Sequence, residues 1–246
     1  MVIKENINVL AIGAHPDDIE LGCGGTIAKL VKLGYKVALC DLTQGELATH
    51  GTKEIRLAEA QKAARILGAT TRQNLKIPDG NIQLNKINLK KLIIHIREVK
   101  PSIMLIPCSI ERHPDHVHAN ILCKEAWYYS GLKKLKTKIN NKVQQQHRPN
   151  NYFEFMQWIE IEPSFIVDIS DTFDLKMKAI QAYTSQIYNP KRKVHETKIG
   201  QPDFLDIIET RCRYYGARIG AKYGEPFITA LPLGINNLFD LIVSKG

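Results

Sequence analysis

Two short motifs place histidine and aspartate side chains at a spacing that suits metal chemistry. The first is His15-Pro16-Asp17-Asp18 and the second is His113-Pro114-Asp115-His116. In the first motif, His15 and Asp18 are three residues apart across a proline corner, so an imidazole nitrogen and a carboxylate oxygen can face one point. A histidine from the second motif would complete a set of two His and one Asp, which binds zinc and leaves a position open for water. Asp17 then remains as a candidate general base.

Each motif follows an apolar run that is typical of a buried strand. Residues 9–12 precede the first motif and residues 103–106 precede the second. Because the carboxyl ends of parallel strands meet at one edge of an open α/β sheet, where ligands bind, we expect the two motifs to lie close together. An alternative is that each motif only caps a helix, since aspartate side chains accept hydrogen bonds from free helix amides. The presence of both clusters after separate strands makes this alternative the weaker one.

The pattern of the chain predicts a doubly wound, mostly parallel, Rossmann-like α/β sheet flanked by helices. No Gly-x-Gly-x-x-Gly stands between the first strand and its helix, which argues against a dinucleotide site. After Gly131 the alternation stops, and we expect a smaller irregular or antiparallel C-terminal addition, with residues 140–151 as a long loop or lid. The predicted strands cover residues 9–14, 37–42, 74–77, 103–107, 152–158 and 164–169, and the predicted helices cover residues 24–33, 54–67, 84–99, 116–130, 172–183 (capped by Asp171) and 203–219.

The composition fits a single enzyme domain spanning residues 1–246 in the cytoplasm. Apolar residues make up 44% of the chain, which is enough for a sizeable core. Residues 1–8 include Lys4, Glu5, Asn6 and Asn8, and the first apolar run is too short for a signal peptide or a membrane span. The 5 cysteines are odd in number and lack close pairs, so we interpret them as reduced thiols.

The net charge of +9 raises the question whether the protein binds nucleic acid or anionic metabolites. Much of the excess lies in residues 133–138 and 191–193. Neither run is interleaved with aromatic residues, as single-strand binders usually are, so we do not expect a nucleic-acid partner. A surface that attracts anionic metabolites is the preferred interpretation.

The two motifs resemble the signature motifs of the PIG-L or LmbE-like zinc N-deacetylases. The resemblance decreases along the chain but covers most of it. Beyond the two motifs, it includes Glu20, Gly22, Gly24, Gly25, Thr43, Gln44, Gly45, Glu46, Gly51, Thr52, Arg56, Glu59 and Ala60.

The resemblance implies a metal-assisted amide hydrolysis. Zinc, or alternatively iron(II), would be held by His15, Asp18 and His116 and would activate a water molecule. Asp17 would act as the general base. His113, as an imidazolium oriented by Asp115, would stabilise the oxyanion.

Three further residues are expected to bind the substrate. Residues 43–53 follow the second predicted strand and form a natural substrate loop, which carries Glu46. The resemblance adds Arg56 and Arg112. Two guanidinium groups suit a substrate with carboxylates, which arginine binds through paired hydrogen bonds.

The implied reaction is removal of the acetyl group from an N-acetylglucosamine conjugate. The expected substrate is an anionic N-acetyl amino sugar, N-acetylglucosaminyl L-malate of bacillithiol biosynthesis, and the expected assembly is a homo-oligomer, either a trimer or a hexamer. Alternatives are a deacetylase of another sugar such as diacetylchitobiose and an amidase that cleaves bacillithiol-type S-conjugates. A non-catalytic basic protein that binds sugar or nucleic acid is a distant alternative.

Overall fold

A seven-stranded sheet forms the centre of the molecule. The computed structural model describes residues 7–191 and 197–241. The strands are β1 (Val9–Gly13), β2 (Val37–Asp41), β3 (Thr71–Asn74), β4 (Ile103–Pro107), β5 (Lys138–Ile139), β6 (Lys142–Val143), β7 (Asn151–Phe155), β8 (Phe165–Asp168) and β9 (Gly224–Ile228). The order in the sheet is β3-β2-β1-β4-β7-β9-β8, and β5 and β6 form a separate small hairpin. The first five strands of that order are parallel, and β9 runs antiparallel to both of its neighbours. The predicted mostly parallel sheet with an antiparallel addition is therefore confirmed.

Helices cover both faces of the sheet. They are α1 (Asp18–Lys32), α2 (Lys53–Leu67), α3 (Lys86–Val99), α4 (Pro114–Ser130), α5 (Phe173–Gln181) and α6 (Phe204–Ala217). Successive residues of β1 alternate between two apolar clusters: Leu10 packs with residues of α3 and α4, and Ala11 packs with residues of α1, α2 and α5. This alternation follows from the two-residue period of a strand and buries the sheet on both sides.

The helix ends follow from local chemistry. The Thr52 side chain caps α2 by accepting a hydrogen bond from the Ile55 amide, and Gly68 ends that helix with a φ of 74°. Pro114 occupies the first turn of α4, where its missing N–H costs no helix bond. These signals are why the predicted limits of α2 and α4 lie within two residues of the observed ones.

Three predicted elements need correction. β3 lies at Thr71–Asn74, not at residues 74–77. This polar edge strand lacks the apolar run that predicts a strand. α1 begins at Asp18, not at residue 24, and its glycines lie inside the helix, where a Cβ at Gly22 would come within 2.2 Å of the Phe155 ring. Asp171 does not cap α5, since its carboxylate pairs with Lys32.

Residues 140–151 form the end of a hairpin and a loop, as one of the two predicted alternatives has it, and they do not form a lid. Asn140 and Asn141 make the turn of the β5–β6 hairpin, with φ values of 48° and 61°. The chain then returns along the amino end of β4, where the Asn150 amide donates to the Ser102 carbonyl at 2.8 Å. The cavity described below lies at the opposite end of that strand.

The structure describes the first basic run in full and the second only in part. Lys133, Lys134, Lys136 and Lys138 are exposed. Of residues 191–193, residues 192 and 193 lie outside the described part of the chain. Among the described residues, no helix is both long and apolar enough to cross a membrane.

Candidate active site

The two motifs meet in a cavity of about 290 Å³ at the carboxyl edge of the sheet. β1 and β4 pair in parallel, so the loops that follow them reach the same edge. This is where an open α/β sheet binds its ligands. A larger cavity of about 480 Å³ beside α6 shares Trp158 with it but contains no residue of either motif. The chemistry therefore belongs to the smaller cavity.

His15, Asp18 and His116 bring three potential ligand atoms together. Oδ1 of Asp18 lies 3.2 Å from Nε2 of His116, and Oδ2 of Asp18 lies 3.4 Å from Nδ1 of His15. All three residues are buried, and one ligand atom from each lies within 4.8 Å of the others. Ligands around a tetrahedral zinc lie about 3.3 Å apart. The group predicted from the sequence is thus assembled at a spacing that suits a metal.

The surroundings of this group also suit a cation. Burial by itself raises the pKa of the Asp18 carboxyl, but the facing His116 and His15 rings hold that pKa well below its usual range. Two imidazoles and one carboxylate at this spacing form a donor set that fits a bound divalent ion.

A second group of potential ligands shares one histidine with the first. It consists of His15, His113 and Asp115, again within 4.8 Å of one another. His113 is exposed, whereas every member of the first group is buried. We therefore favour the first group as the metal ligands.

Asp17 lies beside the proposed metal ligands and has both a strained backbone and a raised carboxyl pKa. Its φ of 111° lies in the left-handed range that non-glycine residues rarely adopt, and such strain is concentrated at functional sites. The residue is 7% exposed, and burial raises the pKa of its carboxyl to about 7. A carboxyl with this pKa exchanges a proton near neutral pH, as a general base must.

Arg56 holds Asp17 and also lines the cavity. Its Nη2 donates to Oδ2 of Asp17 at 3.0 Å and to the Pro16 carbonyl. The Arg56 side chain lines the cavity but is only 6% exposed. Nη2 makes both contacts within the first motif, so Arg56 orients the Asp17 carboxylate. Because its side chain also lines the cavity, the substrate contact predicted for Arg56 stays a prediction.

Replacing Arg56 by Met is expected to move the acid limb of the kcat profile to higher pH. The guanidinium group lowers the pKa of Asp17, against the larger effect of burial. Its loss therefore raises that pKa and keeps the base protonated up to a higher pH. The rate should fall most on the acid side and recover as the pH rises. The pH dependence of kcat measures this, and an acid limb at its original position would contradict the assignment.

The structure corrects the predicted relationship between His113 and Asp115. Nδ1 of His113 accepts a hydrogen bond from the Asp115 backbone amide at 3.2 Å. The Asp115 carboxylate instead accepts from the Gly80 amide at 2.8 Å and lies 3.4 Å from Nε2 of His15. Burial, with smaller effects from His15 and His116, lowers the pKa of His113. The lowered pKa and the hydrogen bond accepted at Nδ1 favour a neutral His113 ring with its proton on Nε2 over the predicted imidazolium.

Asp79, which the sequence analysis did not single out, joins the first motif to the substrate loop. Its Oδ1 lies 3.0 Å from Nε2 of His15, and its Oδ2 accepts from the Leu47 amide at 3.0 Å. Glu46 accepts from the Asp79 and Gln44 amides and does not line the cavity. The Glu46 carboxylate thus makes contacts within the loop, and the substrate contact predicted for it stays a prediction.

The segment that follows β7 orients Asp18. The Gln157 side-chain amide donates to Oδ1 of Asp18 at 2.8 Å. Arg211 of α6 donates to the Met156 and Gln157 carbonyls and fixes that segment. Gln157 was missed because no pattern near it in the sequence indicates a contact with the first motif.

Comparison with known proteins shows to which family the chain belongs. The family model described as PIG-L, GlcNAc-PI de-N-acetylase, matches residues 10–127. A diacetylchitobiose deacetylase of Thermococcus kodakarensis is 30% identical over 227 residues, which cover 88% of this chain and 80% of that protein. The chain belongs to the PIG-L family. The resemblance seen in the two motifs is confirmed.

The PIG-L fold extends over nearly the whole chain. The conserved protein TT1542 of Thermus thermophilus superposes with a TM-score of 0.84 and 33% identity, covering 94% of this chain and 98% of that one. A 4-oxalmesaconate hydratase of Pseudomonas putida is 27% identical over 200 residues, covering 73% of this chain and 74% of that protein. Because that relative has a different activity, the substrate must be argued from the site.

Arg112 and Trp158 line the cavity of this PIG-L protein. Together with Lys198, which lies between the lining residues Thr197 and Ile199, they form a group that we call the cationic rim. The guanidinium carbon of Arg112 lies 4.9 Å from the centre of the Trp158 ring, and Nζ of Lys198 lies 4.6 Å from it. Glu111 accepts from the Arg112 amide at 2.7 Å and from the Trp158 amide at 2.8 Å, so it ties the two segments together. Arg112 is exposed and lines the cavity, a position that suits the substrate contact predicted for it.

Proposed function

We propose that the protein is a metal-dependent deacetylase that hydrolyses the acetamide of an N-acetylglucosamine-type sugar. The observation that carries this proposal is the buried group of His15, Asp18 and His116 with Asp17 beside it in one cavity. The named activity of the Thermococcus kodakarensis relative supports the same reaction. We propose zinc as the metal, and iron(II) suits the same ligands.

In the proposed mechanism, the residues of the two motifs have separate roles. His15, Asp18 and His116 would hold the metal, which when bound lowers the pKa of water and polarises the acetyl carbonyl. Asp17, held by Arg56, takes a proton from the attacking water and returns it to the departing amine. Nε2–H of His113 donates to the acetyl oxygen as negative charge develops there.

The cationic rim favours a substrate with negative charge on the group attached to the sugar. Arg112 and Lys198 bring two positive charges to the same ring, and arginine can bind a carboxylate through two hydrogen bonds. The malate conjugate carries carboxylates, whereas diacetylchitobiose is neutral. The malate conjugate therefore remains our proposed substrate, and diacetylchitobiose, supported by a relative, is the second candidate.

Acetate release from a panel of sugars tests this proposal. Purified, zinc-loaded protein would be assayed with N-acetylglucosaminyl malate, diacetylchitobiose and free N-acetylglucosamine. We expect the malate conjugate to have the highest kcat/KM. Faster turnover of diacetylchitobiose would keep the deacetylase and reject the anionic substrate. Acetate from no sugar, together with cleavage of a bacillithiol S-conjugate to a mercapturate, would replace the deacetylase by the amidase.

Replacing Arg112 by Met should weaken the use of an anionic substrate selectively. Loss of hydrogen bonds to a charged group predicts a rise in KM for the malate conjugate of about 10- to 100-fold. The value of kcat/KM for free N-acetylglucosamine should change little. Arg148→Met is the matched control, since Arg148 also lies against aromatic rings, those of Trp127 and Tyr128, but does not line the cavity. An equal loss for both sugars would contradict the role of Arg112.

A further inference from the structure

α1 is interrupted close to the proposed metal site. Cys23 has φ −143° and ψ 21°, which are not helical values, so α1 consists of two segments joined at a kink. The first segment begins with Asp18. In an uninterrupted helix the Gly25 amide would donate to the Leu21 carbonyl, four residues earlier.

A buried ion pair between Lys176 of α5 and Glu225 of β9 occupies the kink. The Gly25 amide donates to Oε1 of Glu225 at 2.9 Å, and the Thr26 amide donates to Oε2 at 2.7 Å. Nζ of Lys176 donates to the Leu21 carbonyl at 2.8 Å and to Oε1 of Glu225 at 2.6 Å. The lysine and glutamate thus take over the two groups that a continuous helix would join.

The ion pair between Lys176 and Glu225 is buried, and each of its charges lies at the helix end that it complements. Each side chain of the pair is 1% exposed. The glutamate carboxylate lies at the amino end of the second helical segment, and the lysine ammonium lies at the carboxyl end of the first. Both charges therefore complement the partial charges of the helix ends. A neutral residue at either position would leave the other charge buried without a partner.

We propose that Lys176 and Glu225 are positioning residues for the metal-binding turn. The pair fixes the direction of the short segment that carries Asp18, so that its carboxylate faces His15 and His116 instead of following the axis of the second segment. Both residues lie beyond residues 10–127, so the C-terminal addition helps to build a site whose ligands lie in the family-matched part. This inference rests on the proposed metal centre.

Cobalt(II) titration of the metal-free protein tests the inference. Cobalt takes the place of zinc in such sites, and its visible absorption reports the geometry of its ligands. For Glu225→Gln, whose amide offers one acceptor oxygen to two backbone amides, we expect an affinity about tenfold weaker or more and an altered spectrum, as when supporting residues of metal sites are changed. Lys176→Met should show the same changes.

Two further variants separate position from general stability. Lys124→Met removes the cation beside another buried carboxylate, that of Glu154, and should keep the wild-type affinity and spectrum. Lys176→Met/Glu225→Met removes both charges of the kink, leaves no isolated buried charge, and should show the weakened site even where a single variant does not fold. Wild-type affinity and spectrum in a folded kink variant would overturn the inference and leave the metal centre intact. Absence of cobalt binding to the wild type would instead refute the proposed metal centre.

Discussion

Asp17→Asn is expected to lower kcat for acetate release by about 10²–10⁴-fold while the metal remains bound. The asparagine has nearly the same shape but cannot take a proton from water. It can still accept the hydrogen bond from Arg56, so the turn should keep its conformation. The loss should therefore appear in kcat, with little change in KM.

The measurement combines steady-state kinetics with metal content. Asp171→Asn serves as the control, because Asp171 is paired with Lys32 away from the cavity and should keep full activity. A kcat equal to that of the wild type in a metal-loaded Asp17→Asn protein would refute the assignment of the base. Loss of metal in that variant would mean that Asp17 helps to hold the ion.

His116→Ala should lose both the metal and the activity. His116 contributes one of only three buried ligand atoms in the proposed site. Removing a ligand should cost more than removing an outer-shell partner, for which metal affinity falls about 10- to 100-fold. We therefore expect an affinity reduced by more than about 100-fold.

His118 offers a matched control on the same helix. It lies two residues further along α4, its side chain is 51% exposed, and its nearest carboxylate, Asp115, is 4.0 Å away. His118→Ala should keep the metal and the activity. Equal metal content in the two variants would show that the ion is bound elsewhere, for instance by the group that contains His113.

The sequence predicts the parallel half of the fold and the two clusters well. Buried apolar strands followed by polar motifs place His15, Asp18 and His116 at one sheet edge, and the structure brings them together there. β9 was missed because Gly224–Ile228 contains a proline and a buried glutamate, which do not resemble an apolar strand. The strand signal depends on local apolarity, and β9 lacks it.

The contacts that complete the site could not be predicted, because they join distant parts of the chain. Arg56 and Gln157 reach the first motif from α2 and from the segment after β7. Asp79 alone had a local signal, since it precedes Gly80 in a turn just after the buried Ile77. A positively charged His113 was expected from its neighbour in sequence, but the fold directs the Asp115 carboxylate toward Gly80 and His15.

The most direct test of the account is acetate release before and after removal of the metal. The purified protein would be treated with a chelator, assayed with N-acetylglucosaminyl malate and with diacetylchitobiose, and assayed again after one equivalent of zinc is added. We expect acetate release from at least one of these sugars to disappear on chelation and to return with about one zinc per chain. Undiminished acetate release from the metal-free protein would contradict this expectation.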